Sequence, residues 1–316
     1  MRILLVKTSS LGDVLHNLPV VTDILHHFPD AKIDWVVEEN FAELPRLHPG
    51  VDRVLTVAVR RWRRERETAR AEIRTAVAAI REQDYDFVID TQGLLKSALV
   101  MRNAFGLRCG YGFLSAREPL ASLFYHKRFT VPKRQHAVER NRQLVAQSLD
   151  YELDTTADYG IEPPSVSLKW LKAGAYMVLL HATSRNDKLW AETSWIELGK
   201  QLERQGMRSV LPWGSPNELA RAQRLASAIP GAICAPRLDL TEAAALLGRA
   251  QAVVGVDTGL AHLAAALAVP TVGIYTATDP ALTGLYAGAR SINLGGKAHS
   301  PSVEAVLAAL EQVRRA

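Results

Sequence analysis

Only two cysteines occur in 316 residues, Cys109 and Cys234, far apart and in neither a metal-ligand nor a redox spacing. That scarcity excludes a disulfide scaffold and fits two bland buried thiols in a reducing compartment. Long apolar runs are lacking as well, so nothing reads as a transmembrane span. The opening MRILLVKTSSLGD carries one Arg and an apolar stretch too short for a secretion signal, which leads to the expectation of a cytoplasmic protein. Neither G-x-G-x-x-G nor G-x-x-x-x-G-K-[ST] is present, which argues against a dinucleotide oxidoreductase and a P-loop enzyme. Clusters with metal-ligand spacing, fixed-period repeats and low-complexity tracts are missing too.

What is present is an ordinary globular balance, 48% hydrophobic and 22% charged residues. The length suits two domains of roughly 150 residues, each with its own core. Charge divides the chain unequally. Residues 1–150 hold 23 Lys+Arg against 18 Asp+Glu, whereas residues 151–316 hold 15 of each, so the whole formal excess of +5 lies in the first half. A first domain of that sign prefers an anionic partner.

Short apolar runs alternate with amphipathic helical stretches, the pattern of α/β units around parallel sheets. RILLVK reads as a first strand and DVLHNLPVVTDILHHF as its helix; DWVVEE, RVLTVAV and DFVIDTQ read as further strands. Periodicity fails around EPPSVSLKWLKAG, marking a linker at about residues 151–174 between domains 1–160 and 171–316. The second series has its clearest strands at YMVLLHATS, RSVLPWGS, AVVGVDT and TVGIYTAT, and SVEAVLAALEQVRRA closes the chain as a helix. Two open α/β domains bind ligands at the carboxyl ends of their strands, which is where chemistry is to be sought.

The loop Lys7-Thr8-Ser9-Ser10-Leu11-Gly12-Asp13 follows the first strand. Asp13 reads either as the cap of the next helix or as a general base, and one carboxylate suffices to deprotonate an acceptor hydroxyl in a single displacement at an anomeric carbon. In the second half, His181–Lys188 offers the hydroxyls of Thr183 and Ser184 and the charge of Lys188 to a diphosphate, or is a plain polar turn. Val256–His262 opens a helix whose amides at Thr258, Gly259 and Leu260 suit a phosphate; there Asp257 reads as a ligand or as a cap, and His262 as catalytic or packed. Glu218, after the strand SVLP, suits a ribose diol or is an ordinary first-turn acid. Arg60-Arg61-Trp62-Arg63-Arg64-Glu65-Arg66 reads as an ion-paired exposed helix or as a binder of anionic glycolipid at a membrane surface. No recognised nucleic-acid-binding motif accompanies it.

At KTSSLGDVLH, HATSRNDKLW and VGVDTGLAHLAAAL, joined by RRWRRE, DTQGLLKSALV and SAREPLASLFY, nearly the whole chain resembles the lipopolysaccharide heptosyltransferase family, and within it the branch that attaches the first heptose to Kdo. The resemblance implies an α/β GT-B fold: two Rossmann-like domains with parallel sheets facing across a cleft, acceptor side first, donor side second, and a last helix returning to the first domain. It implies inverting, metal-independent transfer of L-glycero-D-manno-heptose from ADP-heptose to Kdo of Kdo2-lipid A, at the cytoplasmic face of the inner membrane and without a cofactor.

By the same resemblance Asp13 is the general base. Lys188 and Asp257 hold the diphosphate and heptose, Thr183, Ser184, Thr258 and Gly259 the phosphates, Glu218 the ribose, and Leu238 the adenine through its backbone, with His262 in the same donor loop. Arg60, Arg61, Arg63, Arg64 and Arg117 meet acceptor phosphates and carboxylates. Ser184 departs from the family pattern, in which a second Thr follows Thr183, but keeps the hydroxyl. Three other readings compete: the related transferase that adds the second heptose, a sugar-nucleotide epimerase of the same fold, and a two-lobed solute-binding protein. The KTSSLGD loop and the arginines favour the first-heptose enzyme over the second. An epimerase does not need the arginines, and a solute-binding protein needs a secretion signal.

Overall fold

The computed structural model describes residues 1–316, apart from the side chains of Arg66 and Thr68. It divides into two compact units, Met1–Ile161 and Glu162–Ala316.

In the first unit β1 (Arg2–Val6), β2 (Lys32–Glu38), β3 (Arg53–Val57), β4 (Asp84–Asp90), β5 (Phe105–Tyr111) and β6 (Lys127–Phe129) form one parallel sheet in the order β3-β2-β1-β4-β5-β6. Crossover helices cover both faces, so the central strand is a continuous apolar run, with Ile3, Leu4, Leu5 and Val6 fully buried. The single helix expected over DVLHNLPVVTDILHHF is two, Leu11–Leu15 and Leu18–His27. Pro19 explains the break: in a continuous helix it would sit mid-course without an N–H to donate, whereas in the first turn of a new helix that loss costs nothing. Strands β5 and β6 were not legible, because Gly106, Arg108 and Gly110 interrupt the apolar pattern of the first and the second has three residues. Gly110 is required by packing: the Tyr125 ring lies 2.4 Å from where a Cβ would stand.

The second unit repeats the plan with β7 (Tyr176–Leu180), β8 (Arg208–Leu211), β9 (Ile233–Cys234), β10 (Ala252–Val256), β11 (Thr271–Tyr275) and β12 (Ser291–Gly295), all parallel, in the order β12-β11-β10-β7-β8-β9. Trp190 and Trp195 meet edge to face at 5.0 Å in its core. Leu198, Leu202 and the buried stripe Val306, Leu310 and Val313 of the C-terminal helix Val303–Arg315 join them.

The Pro- and Ser-rich segment around 151–174 is tied down on either side of the boundary. Arg142, buried against Asp23 with Nε–Oδ2 at 2.8 Å, also donates to the Thr155 carbonyl. Gly160, at φ +62, lies against His48. Beyond the boundary, Pro163 fills the space beside Gly248, and Arg208 holds the carbonyls of Lys172 and Ala173. Among the described residues no helix is long and apolar enough to cross a membrane.

Two buried histidines make the stability pH-dependent. His48 Nδ1 accepts the Gly50 N–H at 3.0 Å while Nε2 meets Thr22 Oγ1 at 3.0 Å, a pattern only the neutral ring completes. Burial pushes His48 down to about 4, and burial together with the Arg221 guanidinium does the same to His181. Both values lie below the ordinary 6.5, so the stabilisation is complete above pH 6.5 and is lost as the pH falls towards 4. We expect urea unfolding to show a loss on the order of 3 kcal/mol per histidine across that window. His48→Gln should lose measurably less on acidification than the parent, and an equal loss contradicts the assignment.

Candidate active site

Because every strand in each sheet runs the same way, the loops leaving their carboxyl ends gather at one edge of that sheet. In the first unit this edge carries the loop after β1. Ser10, not Asp13, is the cap of the helix Leu11–Leu15, and Asp13 is its third residue, reaching back so that Oδ2 accepts the Ser10 N–H at 2.9 Å and its hydroxyl at 3.0 Å. Among the described residues Oδ1 accepts no hydrogen bond, so the carboxylate is oriented by one oxygen and open at the other. Capping and proton acceptance are therefore compatible in one side chain, since only one lone-pair set is engaged.

A buried polar layer holds the loop from beneath. Lys7 Nζ donates to the Thr91 carbonyl at 2.7 Å and to Asn141 Oδ1 at 3.2 Å. Burial lowers its pKa to about 8, with Asp13 and Asp90 opposing and Arg140 and Arg117 adding to the drop. Gln92 Oε1 accepts from the Thr8 N–H and Oγ1, both at 2.7 Å, and its Nε2 donates to the Ser9 carbonyl. Asp90 is fully buried and raised by that burial, yet receives Ser97, Tyr125 and the amides of Gln92 and Gly93. Lys96 donates to Ser9 Oγ at 2.5 Å; burial lowers its pKa, Glu38 and Asp13 work against that, and Arg60 and Arg63 add to it. Glu38 is raised by burial while Lys96 and Arg60 hold it down.

The fields acting on Lys7 and Lys96 bring Asp13, Arg60, Arg63 and Arg117 into one neighbourhood. Arg60, Arg63, Arg64 and Arg117 are exposed. Arg61 differs: its guanidinium is clasped by Glu39 at 3.0 Å and Glu72 at 2.8 Å, and Trp62 Nε1 donates to the same Glu72 carboxylate at 2.7 Å. It braces the stretch rather than presenting charge to solvent. A cavity of about 500 Å3 lies beside it, between β3 and the helix Arg66–Arg81.

The carboxyl edge of the second sheet gathers the other candidates. Lys188 Nζ lies 2.7 Å from Asp257 Oδ2, and Thr278 Oγ1 donates to that oxygen at 2.6 Å. Thr183 Oγ1 donates to the Asp257 carbonyl at 2.9 Å, and Thr276 Oγ1 to the Asp187 carbonyl at 2.9 Å. Asp257 is not a cap: Thr258 is the cap of the helix Gly259–Ala266, and its side chain makes no hydrogen bond to the first amides. His262, fourth in that helix, is buried, and Ser184 is exposed. Glu218 Oε2 accepts the amides of Gly214 at 2.7 Å and Ser215 at 3.1 Å, which orients the carboxylate in the first turn of Pro216–Ala228. Leu238, half-buried, immediately precedes Asp239, the cap of Leu240–Gly248.

Sequence reasoning missed Lys7, Glu38, Gln92, Lys96, Thr276 and Thr278 as parts of these clusters. The stretch DTQGLLKS contains two of them, but their meeting with KTSS is a tertiary event. It also missed His26, His27 and Asp154, whose donor atoms lie within 4.8 Å of one another although the sequence separates them by more than a hundred residues.

Comparison with known proteins bears directly on this arrangement. The model of glycosyltransferase family 9 (heptosyltransferase) matches residues 73–310. Lipopolysaccharide heptosyltransferase 1 of Escherichia coli K12 is 49% identical over 290 residues, covering 90% of this chain and 91% of that one. Escherichia coli heptosyltransferase WaaC with ADP superposes with a TM-score of 0.92 at 44% identity, covering 99% of this chain and 100% of that chain. The same enzyme with ADP-2-deoxy-2-fluoro heptose gives 0.88 at 43%, covering 98% and 99%. The two parallel six-stranded sheets are thus those of a GT-B transferase, and the chain belongs to glycosyltransferase family 9, the heptosyltransferases.

Proposed function

We propose that this chain transfers L-glycero-D-manno-heptose from ADP-heptose to Kdo of Kdo2-lipid A in one inverting displacement, with the second unit holding the donor and the first the acceptor. The observation that carries this reading is the Lys188–Asp257 pair at the uncapped mouth of the helix Gly259–Ala266. A diphosphate seated on the amides of Thr258 and Gly259 gains the helix dipole and attracts Lys188 away from Asp257. Asp257, relieved of its partner, then accepts from sugar hydroxyls. Thr183 and Ser184 add donors to the phosphates, His262 lines the same loop, Glu218 chelates the ribose diol and Leu238 meets the adenine through its backbone. Lys188 and the helix amides neutralise the leaving diphosphate, and no metal ion is required. These roles are supported by 49% identity to a heptosyltransferase 1 and by a neighbour solved with an ADP-heptose analogue.

Asp13 is the general base. Its open Oδ1 takes the proton of the attacking Kdo hydroxyl while Ser10 fixes the other oxygen. Lys7 and Lys96 lie within the field of its carboxylate, which opposes the loss of their protons on burial. Arg60, Arg63, Arg64 and Arg117 receive acceptor phosphates and Kdo carboxylates, with Arg61 bracing them from behind. An acceptor anchored in a bilayer places the enzyme peripherally on the cytoplasmic face of the inner membrane.

Incubation with ADP-heptose and Kdo2-lipid A in EDTA should give heptosylated product by mass spectrometry, and Asp13→Ala should lower turnover by about 10²–10⁴ while still binding ADP. Near-normal turnover in that variant removes Asp13 from the base role. Product only with an already heptosylated acceptor moves the assignment to the second heptose.

The two units should also separate kinetically. Charge reversal at Arg60, Arg63 and Arg64 is expected to raise the acceptor KM at least about tenfold with donor affinity unchanged. Lys188→Ala is expected to lower kcat by roughly 10²–10³ and weaken ADP binding. Loss of ADP binding in the arginine variant contradicts this division.

A further inference from the structure

The helix Leu18–His27 ends at the edge of the first sheet opposite Asp13, where the chain turns back into β2 and the Lys32 N–H meets the Met1 carbonyl. His26 and His27 occupy its last turn. Across from them stands Asp154, with its Oδ1 4.0 Å from His26 Nε2 and 3.6 Å from His27 Nε2. The three donor atoms all lie within 4.8 Å of one another. We propose that His26, His27 and Asp154 bind one divalent transition-metal cation of the zinc class, a site separate from the transfer chemistry.

Three observations support it. First, the donor set is chemically selective. Two imidazoles and one carboxylate, with a fourth position open to water, suit zinc and its borderline neighbours, whereas calcium and magnesium require oxygen. Second, the geometry is nearly closed. A tetrahedral cation with bonds of about 2.0–2.2 Å sets its donors about 3.4 Å apart, so the pairs must contract by no more than about 1.4 Å. His26 and Asp154 have the freedom to do so, at 54% and 60% exposure.

Third, the ligands are held in place by contacts outside the site. Arg142 and Asp23 form a buried pair, and Asp23 lies one turn before His26 and His27 on the same helix. Both partners of that pair bond Thr155: Arg142 Nη2 donates to its carbonyl at 2.9 Å, and Thr155 Oγ1 donates to Asp23 Oδ1 at 3.3 Å. Asp154 is therefore delivered beside the helix end by its neighbour. His27 in turn stacks on the Tyr151 ring at 4.3 Å and 25°. A helix carboxyl end also favours a cation through its dipole. When bound, the ion clips the segment after Ala137–Leu149 to Leu18–His27 and stabilises the first unit by mass action.

The test uses the full chain, free of any affinity tag, stripped with EDTA, dialysed and titrated with ZnCl2 by calorimetry. One saturable equivalent is expected, weakened at least about tenfold by His26→Ala and likewise by Asp154→Asn. Zinc should raise the thermal midpoint of the parent and not that of either variant. Cooperative unfolding of the zinc-free variants at the parent's midpoint establishes that they fold, and neither should change transfer in EDTA. Absence of a saturable equivalent, or one that survives both substitutions, overturns the proposal whether or not the transfer reaction is as described.

Discussion

Burial of both faces of a parallel sheet is the constraint on which the rest of this molecule depends. The central strands β1, β7 and β10 must be apolar along nearly their whole length, because helices cover them above and below, and their backbone polar groups are satisfied by their neighbours. Polar and charged residues are thereby driven to the strand ends. Since all strands of a sheet point one way, their carboxyl ends deliver Asp13, Glu38 and Gln92 to one edge of the first sheet and Lys188, Glu218 and Asp257 to one edge of the second. Chemistry is concentrated by topology before any individual residue is chosen.

Concentration alone would be destabilising, for charges brought together away from water repel or lose hydration. The two edges resolve this differently. Beneath the Asp13 loop the buried charges are met by hydrogen bonds: Asp90 takes four donors, and Lys7 reaches a carbonyl and an amide oxygen. Such a layer is rigid, which suits the proposed role of Asp13 as a base meeting one hydroxyl in one orientation. At the second edge Lys188 is paired with Asp257, a contact that, on the function proposed above, an incoming diphosphate would exchange rather than break. The contrast between a fixed network and an exchangeable pair matches the two roles proposed above, positioning a proton acceptor and receiving a mobile polyanion.

Where the pattern was regular the sequence was readable. RILLVK, AVVGVDT and TVGIYTAT announce buried parallel strands, and the loops after the first two bear Asp13 and, in turn, Asp257, Thr258 and Gly259 at the strand ends. Legibility failed where tertiary contact decides local form. Gly110 looks like a strand breaker, yet it exists to admit the Tyr125 ring, so β5 has no clean apolar signature. The Pro- and Ser-rich stretch reads as a free linker by composition, although Arg142, His48 and Arg208 bind its parts. The cap alternative left open for Asp13 and Asp257 falls instead on Ser10 and Thr258, because a cap and its acidic neighbours share a composition and differ only in which amide they meet.

The arginine stretch shows why composition alone could not divide bland from functional residues. Five arginines in seven positions suggest either a salt-bridged helix or an anion surface. In the fold Arg61 is ion-paired, whereas Arg60, Arg63 and Arg64 are exposed. Arg61 turns towards Glu39, which is distant in sequence and arrives at the end of β2, and towards Glu72 on the next helix; its two carboxylates neutralise it and fix the backbone of the turn. Burial lowers the Lys96 pKa, and the charges of Arg60 and Arg63 on that turn add to the drop.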